Sequence, residues 1–327
     1  MTDPNVLAEA ARAAGLAPSV HNTQPWRWRV HRDHLDLYAD RSRQLDAADP
    51  EGRLLTISCG AALHHARIAL AAVGWRAEVE RFPDPGEPDH LARIRLGEHV
   101  GVTGEAMRRF QAIQVRRTDR RPLVDAPVRP EVLDEFRAAV EAERAHLHLL
   151  HQEQVSELAY AASRADELTA EDEKLRDELV RWVGGARPDG TGLPDATIPV
   201  QPPHTGVPVR DFGRAGTLPT DLPVGRGDAA ASYGVIFGEQ DTPDGWLPAG
   251  EALSAAWLVA TEHGVALLPF SAPVEVTVTR VVLRRLLAGL GHPYLVVRFG
   301  VPDPDHPGPP HTPRLDPVQF VEIVGGG

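Results

Sequence analysis

The chain has 327 residues, a net charge of −12 at neutral pH and 42% hydrophobic residues, a composition typical of a soluble globular protein with one large domain or two. The negative charge argues against nucleic acid as the main partner, and the sequence shows no uninterrupted apolar run of the roughly 18 residues that would predict a membrane span. Cys59 is the single cysteine, which excludes an internal disulfide and a cysteine-based zinc site, and the N-terminus lacks signal-peptide features. We therefore expect a cytoplasmic protein.

The first third of the chain alternates between helical and strand-like patterns. The periodicity predicts, in chain order, a helix over 7–15, strands over 28–30 and 35–39, a helix over 54–73, strands over 75–80 and 91–96, and a helix over 106–115. Gly74 follows the apolar stripe of the second helix and is a good C-terminal stop for it.

The rest of the chain is divided by a stretch of different composition. Before it we predict a helix over 130–142, a short strand over 147–150 and a long charged helical region over 155–183, broken near Thr169. After it we predict a strand over 232–237, a helix over 249–263, a strand over 265–270, a helix over 281–288 and a strand over 294–300. The dividing stretch, residues 184–228, is rich in Gly and Pro, as a lid, a binding loop or a disordered insert would be.

Two segments of the chain resemble each other. Gly60 and Gly250 are 190 positions apart, as are Gly74 and Gly264. In each segment a helix of small residues lies between the two glycines (60 and 74, or 250 and 264) and leads into a strand. The alternative is a chance match between two alanine-rich helices. A real duplication predicts an α+β protein of two related halves, 1–105 and 106–327, folded as an internal pseudo-dimer with a lid insert at 184–228.

The loop between the first helix and the first strand carries many hydrogen-bonding side chains. It runs Ser19-Val20-His21-Asn22-Thr23-Gln24-Pro25-Trp26. Loops held between rigid elements often carry binding groups. The alternative is that Asn22, Thr23 and Gln24 only satisfy the backbone of the turn.

A second polar cluster contains four arginines in six residues. Arg116, Arg117, Arg120 and Arg121 surround Thr118 at the end of a predicted helix. Such a cluster is either a solvated basic patch or a site for an anion, and phosphate is the natural anion because guanidinium binds it bidentately. Arg314 could reach the same anion from the C-terminal tail. The segment 269–272 follows a predicted strand and would present backbone N–H groups.

Other constellations give weaker signals. His31 and His34 have the spacing of metal ligands, but no acidic or cysteine partner is evident, so we expect structural histidines and no metal. His64 and His65 are adjacent on a helix and face different directions. The usual motifs of Rossmann domains, P-loop enzymes and serine hydrolases are missing from the sequence.

The two polar clusters resemble motifs of the FMN-dependent nitroreductase family, and within it the tandem Acg-like branch from actinobacteria. The Ser-x-x-Asn-x-Gln-Pro-Trp pattern of that family is present from Ser19 to Trp26. The family's Arg-x-Ser-x-Lys/Arg phosphate motif looks like residues 116–120, displaced to mid-chain, and residues 249–272 are similar to its helix-Gly-strand-Pro-x-x-Gly element. Further matches to the Acg-like branch are Trp182, Gly190 and Arg210-Asp211-Phe212.

This resemblance implies a set of roles. Arg116, Thr118 and Arg314 would hold the FMN phosphate, Arg120 and Asn22 would face the pyrimidine edge, and backbone N–H groups near residues 271–272 would approach flavin N5. The sequence has Ser271 and Ala272 where many members have an acidic residue and glycine. The full set of implied cofactor-binding residues is Asn22, Gln24, Arg116, Arg117, Thr118, Arg120, Pro269, Ser271, Ala272 and Arg314. No side chain is expected as a general acid or base, because the flavin carries the redox chemistry.

Two functions are compatible with this interpretation. One is an NAD(P)H-dependent reductase of nitro or quinone-like acceptors that works through flavin N5. The other is a protein that binds and sequesters FMN under a closed lid and turns over little. In either case we expect FMN and a small-molecule acceptor as partners, and a monomer, with a homodimer as the alternative.

Overall fold

A computed structural model describes residues 4–200, 205–213, 216–220, 229–305 and 308–324. The helices are α1 (Pro4–Ala14), α2 (Arg53–Ala72), α3 (Gly104–Val115), α4 (Pro130–Ala142), α5 (Gln152–Glu171), α6 (Glu173–Trp182), α7 (Pro243–Glu262), α8 (Ala272–Glu275) and α9 (Thr277–Leu286). The strands are β1 (Trp26–Val30), β2 (His34–Ala39), β3 (Trp75–Arg81), β4 (His90–His99), β5 (His146–Leu149), β6 (Ser232–Gly238), β7 (Ala266–Phe270), β8 (His292–Gly300) and β9 (Val321–Ile323).

The strands form two sheets with the same internal order. One sheet has the order β3-β4-β2-β1-β9 and the other β5-β6-β8-β7. Read from the opposite edge, the second sheet has the order β7-β8-β6-β5. Its four strands therefore correspond in position to β3, β4, β2 and β1 of the first sheet. In both sets of four, neighbouring strands are antiparallel. The mixed helices and sheets confirm the predicted α+β class, and the repeated order supports two related halves.

The C-terminal tail joins the first sheet. Strand β9 pairs with β1 in parallel, and the backbone N–H of Trp28 donates to the carbonyl of Phe320 at 2.7 Å. No strand was predicted in this tail, because three residues carry too little alternation to be recognised. The pairing returns the end of the chain, including Arg314, to the N-terminal polar loop.

Helices α2 and α7 form the centre of the molecule, with their backbones in contact at two glycines. A Cβ atom added at Gly60 would lie 2.0 Å from the carbonyl oxygen of Leu247, and one added at Gly250 would lie 1.9 Å from that of Ile57. Ile57 and Leu247, like the two glycines, are 190 positions apart. The contact is therefore reciprocal, as in a two-fold interface, which supports the proposal of an internal pseudo-dimer.

Charged groups are buried at the edge of this helix pair. Glu251 on α7 is fully buried and pairs with Arg67 at 2.5 Å and with Arg81 at 2.7 Å. Nδ1 of His64 lies 2.9 Å from the hydroxyl of Ser254, again 190 positions away. Helix α2 has the length and apolarity of a membrane span, but most of it is buried inside the protein, as in a core helix.

Three predicted boundaries differ from the structure. Helix α7 begins at Pro243 rather than at residue 249, and α9 begins at Thr277 rather than at 281. The long helical region breaks at Asp172 rather than near Thr169, since the Asp172 carboxylate caps α6 by accepting from the N–H groups of residues 174 and 175. The proline at the start of α7 and the aspartate that caps α6 explain two of these shifts.

The Gly/Pro-rich stretch is packed against the protein where the structure describes it. Leu193, Ile198, Val207 and Val209 are buried. Parts of the predicted lid, residues 201–204, 214–215 and 221–228, lie outside the described residues. The division of the chain at residue 105 remains a prediction.

Candidate functional site

One cavity brings the two polar clusters together. It encloses about 980 Å³ of empty space, counted out to the solvent at its mouth, between the N-terminal loop, α2, α7 and the end of β7. Eight of the ten predicted binding residues line it. These are Asn22, Arg116, Thr118, Arg120, Pro269, Ser271, Ala272 and Arg314.

The N-terminal loop has an unusual backbone. His21, Asn22 and Gln24 have φ angles of 44°, 56° and 52°, in the left-handed region that L-residues other than Asn and Asp rarely adopt. Ser19 Oγ accepts from the Gln24 N–H at 2.9 Å, and Ser58 Oγ on α2 accepts from the Val20 N–H at 3.2 Å. These bonds fix a conformation that would otherwise be costly.

The amide of Asn22 is used within the protein. Its Nδ2 group donates to the carbonyls of Gly192 at 3.1 Å and Pro313 at 2.9 Å, and its Oδ1 accepts from Arg314 at 3.0 Å. Both donors and the acceptor of Asn22 thus have partners within the protein, and its role at a pyrimidine edge stays a prediction. Asn22 positions Arg314 and ties the tail to the Gly/Pro-rich stretch.

Gln24 and Arg117 do not line the cavity, which corrects their predicted placement. Gln24 is fully buried, donates to the Gly190 carbonyl at 2.8 Å and accepts from the Leu315 N–H at 3.0 Å. The Arg117 guanidinium instead points to the surface and lies 3.0 Å from His311. Neighbouring residues in an extended segment face opposite sides, so Arg116 and Arg117 cannot both enter the cavity.

Three arginines converge on the cavity without a carboxylate partner. Arg116 and Arg120 are buried and Arg314 is half-buried, and within the described residues none of the three forms an ion pair. The Arg116 guanidinium lies 4.4 Å from the ring centroid of Trp257, which sequence reasoning did not single out. Arg120 donates to the Thr197 carbonyl at 3.2 Å.

The environment of these arginines destabilises their charge. Burial, and then the neighbouring Arg314, lower the pKa of Arg116 to about 9. Burial lowers the pKa of Arg120 to about 10, although Asp119 opposes the shift, and burial alone lowers the pKa of Arg314 to about 10. All three remain protonated at neutral pH. A cavity with three unpaired cations favours binding of an anion.

The end of β7 supplies the opposite wall. Thr118 forms a parallel bridge with Leu267, which holds the arginine cluster beside this strand. Pro273 has no N–H, and the N–H groups of residues 274 and 275 are bound to the Ser271 carbonyl. Within the described residues, no backbone carbonyl accepts from the N–H groups of Ser271 or Ala272.

The Gly/Pro-rich stretch forms one side of the cavity. Sequence analysis predicted this stretch as a lid but not which of its residues line the cavity. Leu193, Val209, Arg210 and Phe212 line the cavity from this stretch. Arg210 pairs with the buried carboxylate of Glu275 at 2.5 Å. The sequence offered no signal for this ion pair beyond the Arg210-Asp211-Phe212 match.

His21 is a further cavity residue that was not among the predicted binding residues. Its Nε2 lies 3.4 Å from the Arg210 guanidinium, and its ring is edge-on to that of Phe212, with 6.3 Å between centroids. It lies inside the loop singled out from the sequence, but only the structure shows that its ring lines the cavity.

The histidine pair noted in the sequence lies elsewhere. His31 and His34 stack with 4.2 Å between centroids, and their ring nitrogens lie 3.6 Å and 3.4 Å from the buried carboxylate of Asp36. The acidic partner that the sequence did not reveal is therefore Asp36. Both of its oxygens accept from Arg93, at 2.7 Å and 2.9 Å, which fits an ion pair with structural histidines beside it.

No protein-family model matches the chain. Among solved structures, the chain is similar to a nitroreductase with bound FMN from Bacteroides fragilis, with 14% identity, a TM-score of 0.38 and coverage of 62% of this chain and 93% of the other. It is also similar to the nitroreductase CinD from Lactococcus lactis, with 12% identity, a TM-score of 0.40 and coverage of 66% and 98%. Likeness of this degree is too weak to assign a cofactor or an activity.

The sequence relatives are much closer. Two proteins of Mycobacterium tuberculosis strain H37Rv carry the name "Putative NAD(P)H nitroreductase". The first, Rv3131, is 38% identical over 98% of this chain and 92% of its own length. The second, acg, is 34% identical over 98% of this chain and 97% of its own length. The chain therefore belongs to the nitroreductase family, in its Acg-like branch.

Proposed function

We propose that the protein binds FMN in the cavity and uses NAD(P)H to reduce nitro or quinone-like acceptors. The observation that carries this proposal is the convergence of Arg116, Arg120 and Arg314 on one cavity without carboxylate partners. Burying an unpaired cation costs several kcal/mol, so a cluster of three is expected only where an anionic ligand compensates the cost.

The residues of the cavity fit FMN. The Nε atoms of Arg116 and Arg314 are buried polar atoms without a hydrogen-bond partner in the described part of the chain, and a phosphate would satisfy them. Thr118 lies beside them and adds a hydroxyl. The apolar part of the lining suits a fused aromatic ring; it comprises Leu54, Ile57, Leu253, Leu268 and Leu295.

We assign the phosphate of FMN to Arg116, Thr118 and Arg314, and its ring system to the side of Arg120 and the backbone N–H groups of Ser271 and Ala272. When bound, FMN supplies the two-electron redox chemistry that no side chain in the cavity can supply. The protein binds and orients the cofactor, and the Gly/Pro-rich stretch excludes water. The names of the relatives support NAD(P)H as the electron donor.

The test is spectroscopic. We expect the purified protein to carry about one FMN per chain after incubation with FMN, and NADH or NADPH to bleach its flavin absorbance in anaerobic buffer. Addition of a nitroaromatic or a quinone should restore the absorbance. A protein that takes up no FMN, in absorbance and in calorimetric titration, would overturn the proposal.

A second candidate function, flavin sequestration, is favoured by the closed side of the cavity. Arg210 and Phe212 line the cavity from the Gly/Pro-rich stretch, and Arg210 is anchored to Glu275. A hydride donor must approach the flavin to within about 3–3.5 Å, so this side has to open for turnover.

Stopped-flow reduction by NADPH distinguishes the two functions. If the stretch blocks access, Arg210→Ala should keep FMN bound and raise the reduction rate about tenfold or more. Val200→Ala is the control, because Val200 belongs to the same stretch, is 44% exposed and does not line the cavity. Equally fast reduction in wild type and Arg210→Ala would favour the reductase. Removing 194–208 is a less clean test, because the Thr197 carbonyl accepts from Arg120.

A further inference from the structure

We propose that the Nδ1–H group of His21 donates a hydrogen bond to an oxygen atom of the acceptor, and that the site thereby selects acceptors with an uncharged nitro or carbonyl oxygen. This inference rests on the proposed function, since it concerns the acceptor that would share the cavity with FMN. It assigns a substrate-binding role to a residue of the N-terminal loop.

The contact with Arg210 determines which ring nitrogen carries the proton. Nη1 of Arg210 lies 3.4 Å from Nε2 of His21. An arginine guanidinium can only donate hydrogen bonds, so Nε2 is the acceptor. In a neutral imidazole the proton is then on Nδ1.

The surroundings of His21 keep the ring neutral. Burial, and then the charge of Arg210, lower the pKa of His21 to about 3, while Glu275 opposes the shift and Arg120 adds to it. At physiological pH the ring is therefore a neutral donor. Such a donor suits an uncharged oxygen, whereas anionic groups are better served by the three arginines that line the same cavity.

The Nδ1–H group is free to meet a ligand. The ring lines the cavity, and within the described residues no protein atom is a hydrogen-bond partner of Nδ1. The position of the ring is nevertheless fixed, because Arg210 is held by Glu275 and Phe212 packs edge-on against the imidazole. A free donor on a fixed ring is preorganised for binding.

The backbone of His21 adds an independent argument. Its φ of 44° is left-handed, a backbone conformation that is unfavourable for residues with a Cβ. Glycine would adopt this conformation at no cost and asparagine at a smaller one. Strained residues that the surrounding bonds hold in place concentrate at functional sites.

The left-handed backbone also provides a matched pair of variants. His21→Asn and His21→Gly both tolerate this φ, but only asparagine has a side-chain donor. Its amide nitrogen is attached to Cγ, as Nδ1 of histidine is, so the donor can occupy nearly the same place. Comparing the two variants therefore separates the effect of losing the side-chain donor from the effect of a change in backbone strain.

The probe is menadione, a quinone, titrated into the oxidised FMN-loaded protein without NAD(P)H. Losing one neutral hydrogen bond weakens binding by up to about tenfold, so we expect His21→Gly to raise the dissociation constant about five- to tenfold and His21→Asn to stay within about twofold of wild type. In the wild type, the 15N resonance of His21 Nδ1 should shift as menadione is added.

Equal menadione affinity in wild type and His21→Gly, or an Nδ1 resonance that does not move, would overturn the inference. Failure of the proposed function gives a different result: the wild type would hold no flavin, or NAD(P)H would not reduce it. If flavin is reduced but His21→Gly binds menadione normally, the function stands and the role of His21 falls.

Discussion

At the scale of single residues, Arg116 shows how burial turns a common side chain into a binding group. Its guanidinium donates to the Leu16 carbonyl at 3.3 Å and lies against Trp257, yet its Nε has no partner among the described residues. These contacts fix the orientation of the cation without neutralising it. The charge remains available for an anion, and its low-dielectric surroundings strengthen any bond that it makes.

We predict that Arg116→Ala and Arg120→Ala each lower the FMN content of the protein. A charge-assisted hydrogen bond, from Arg116 to the phosphate or from Arg120 to the ring system, contributes about 1.5–3 kcal/mol, so each variant should bind FMN roughly 10- to 100-fold more weakly, measured by fluorescence titration of the apoprotein. Arg117→Ala is the matched control, because Arg117 belongs to the same cluster and points to the surface. Full flavin occupancy in Arg116→Ala would refute the assignment of the phosphate, and full occupancy in Arg120→Ala would refute that of the ring system.

The residues of the site could be recognised from the sequence better than their orientations. The arginine cluster and the polar loop were identified by residue type, and Arg116, Arg120 and loop residues 19–22 line the cavity. Which side chain enters the cavity depends on the tertiary partners of each segment, so Arg117 and Gln24 were misplaced. The contact between Arg210 and His21 joins positions 189 apart in sequence, and no local pattern reports it.

At the scale of elements, the crossing of α2 and α7 depends on the absence of side chains. We predict that Gly250→Ala destabilises the protein by about 1–3 kcal/mol or more, because the added Cβ would lie 1.9 Å from the Ile57 carbonyl oxygen and two backbones would have to separate. Gly104→Ala, near the exposed start of α3, is the control, since its Cβ would meet nothing closer than an arginine nitrogen at 3.5 Å. Urea unfolding measures both. An unchanged midpoint for Gly250→Ala would contradict this packing.

The same helix pair makes stability depend on pH through His64. Burial lowers the pKa of His64 to about 3, and Glu143 only partly offsets this shift. Between pH 6.5 and 3 the unfolded chain binds this proton and the folded chain does not, so stability falls as the pH falls, by up to roughly 1.4 kcal/mol per pH unit for this group. His64→Gln keeps a polar group beside Ser254 and removes the proton uptake.

We therefore predict that, as the pH is lowered from 6.5 to 4, the free energy of unfolding decreases less steeply for His64→Gln than for wild type. Urea unfolding at several pH values measures this. Above pH 7.5 the proton plays no part, and the two proteins should differ by a constant amount. Parallel curves through the acidic range would show that His64 is protonated in the folded protein.

Elements were predicted where their periodicity was local and strong. The N-terminal hairpin, α2, β4 and β8 lie close to their predicted positions. Burial alternates along β1, whereas α2 and β8 are buried along nearly their whole length, so their apolar patterns are strong for different reasons. The start of α7 was placed too late because Pro248 looks like a boundary, whereas the structure keeps it inside the helix. Strand β9 exists only through its pairing with β1, which the sequence of the tail does not encode locally.

At the scale of the whole molecule, the chain contains on its own both sides of what looks like a two-fold interface. Gly60 contacts the turn before Gly250, and Gly250 contacts the turn before Gly60. The cavity lies beside this crossing and takes Arg116, Arg120 and Arg314 from outside the first 105 residues and the polar loop from within them. Within the described residues, one chain therefore lines the cavity from both of its predicted halves.

We predict that one chain is sufficient for FMN binding. If the pseudo-dimer proposal is right, flavin should remain bound at about one per chain when the protein is diluted until sedimentation shows only monomers. The reason is that the contacts forming the cavity are intramolecular, so their effective concentration does not fall on dilution. Sedimentation velocity, followed at the flavin absorbance and at the protein absorbance, tests both quantities in one experiment.

A dimer that keeps its flavin at all concentrations would show only an unrelated interface. Release of flavin together with dissociation of a dimer would instead mean that a partner chain completes the site, and the proposal of two halves sharing one cavity would fail.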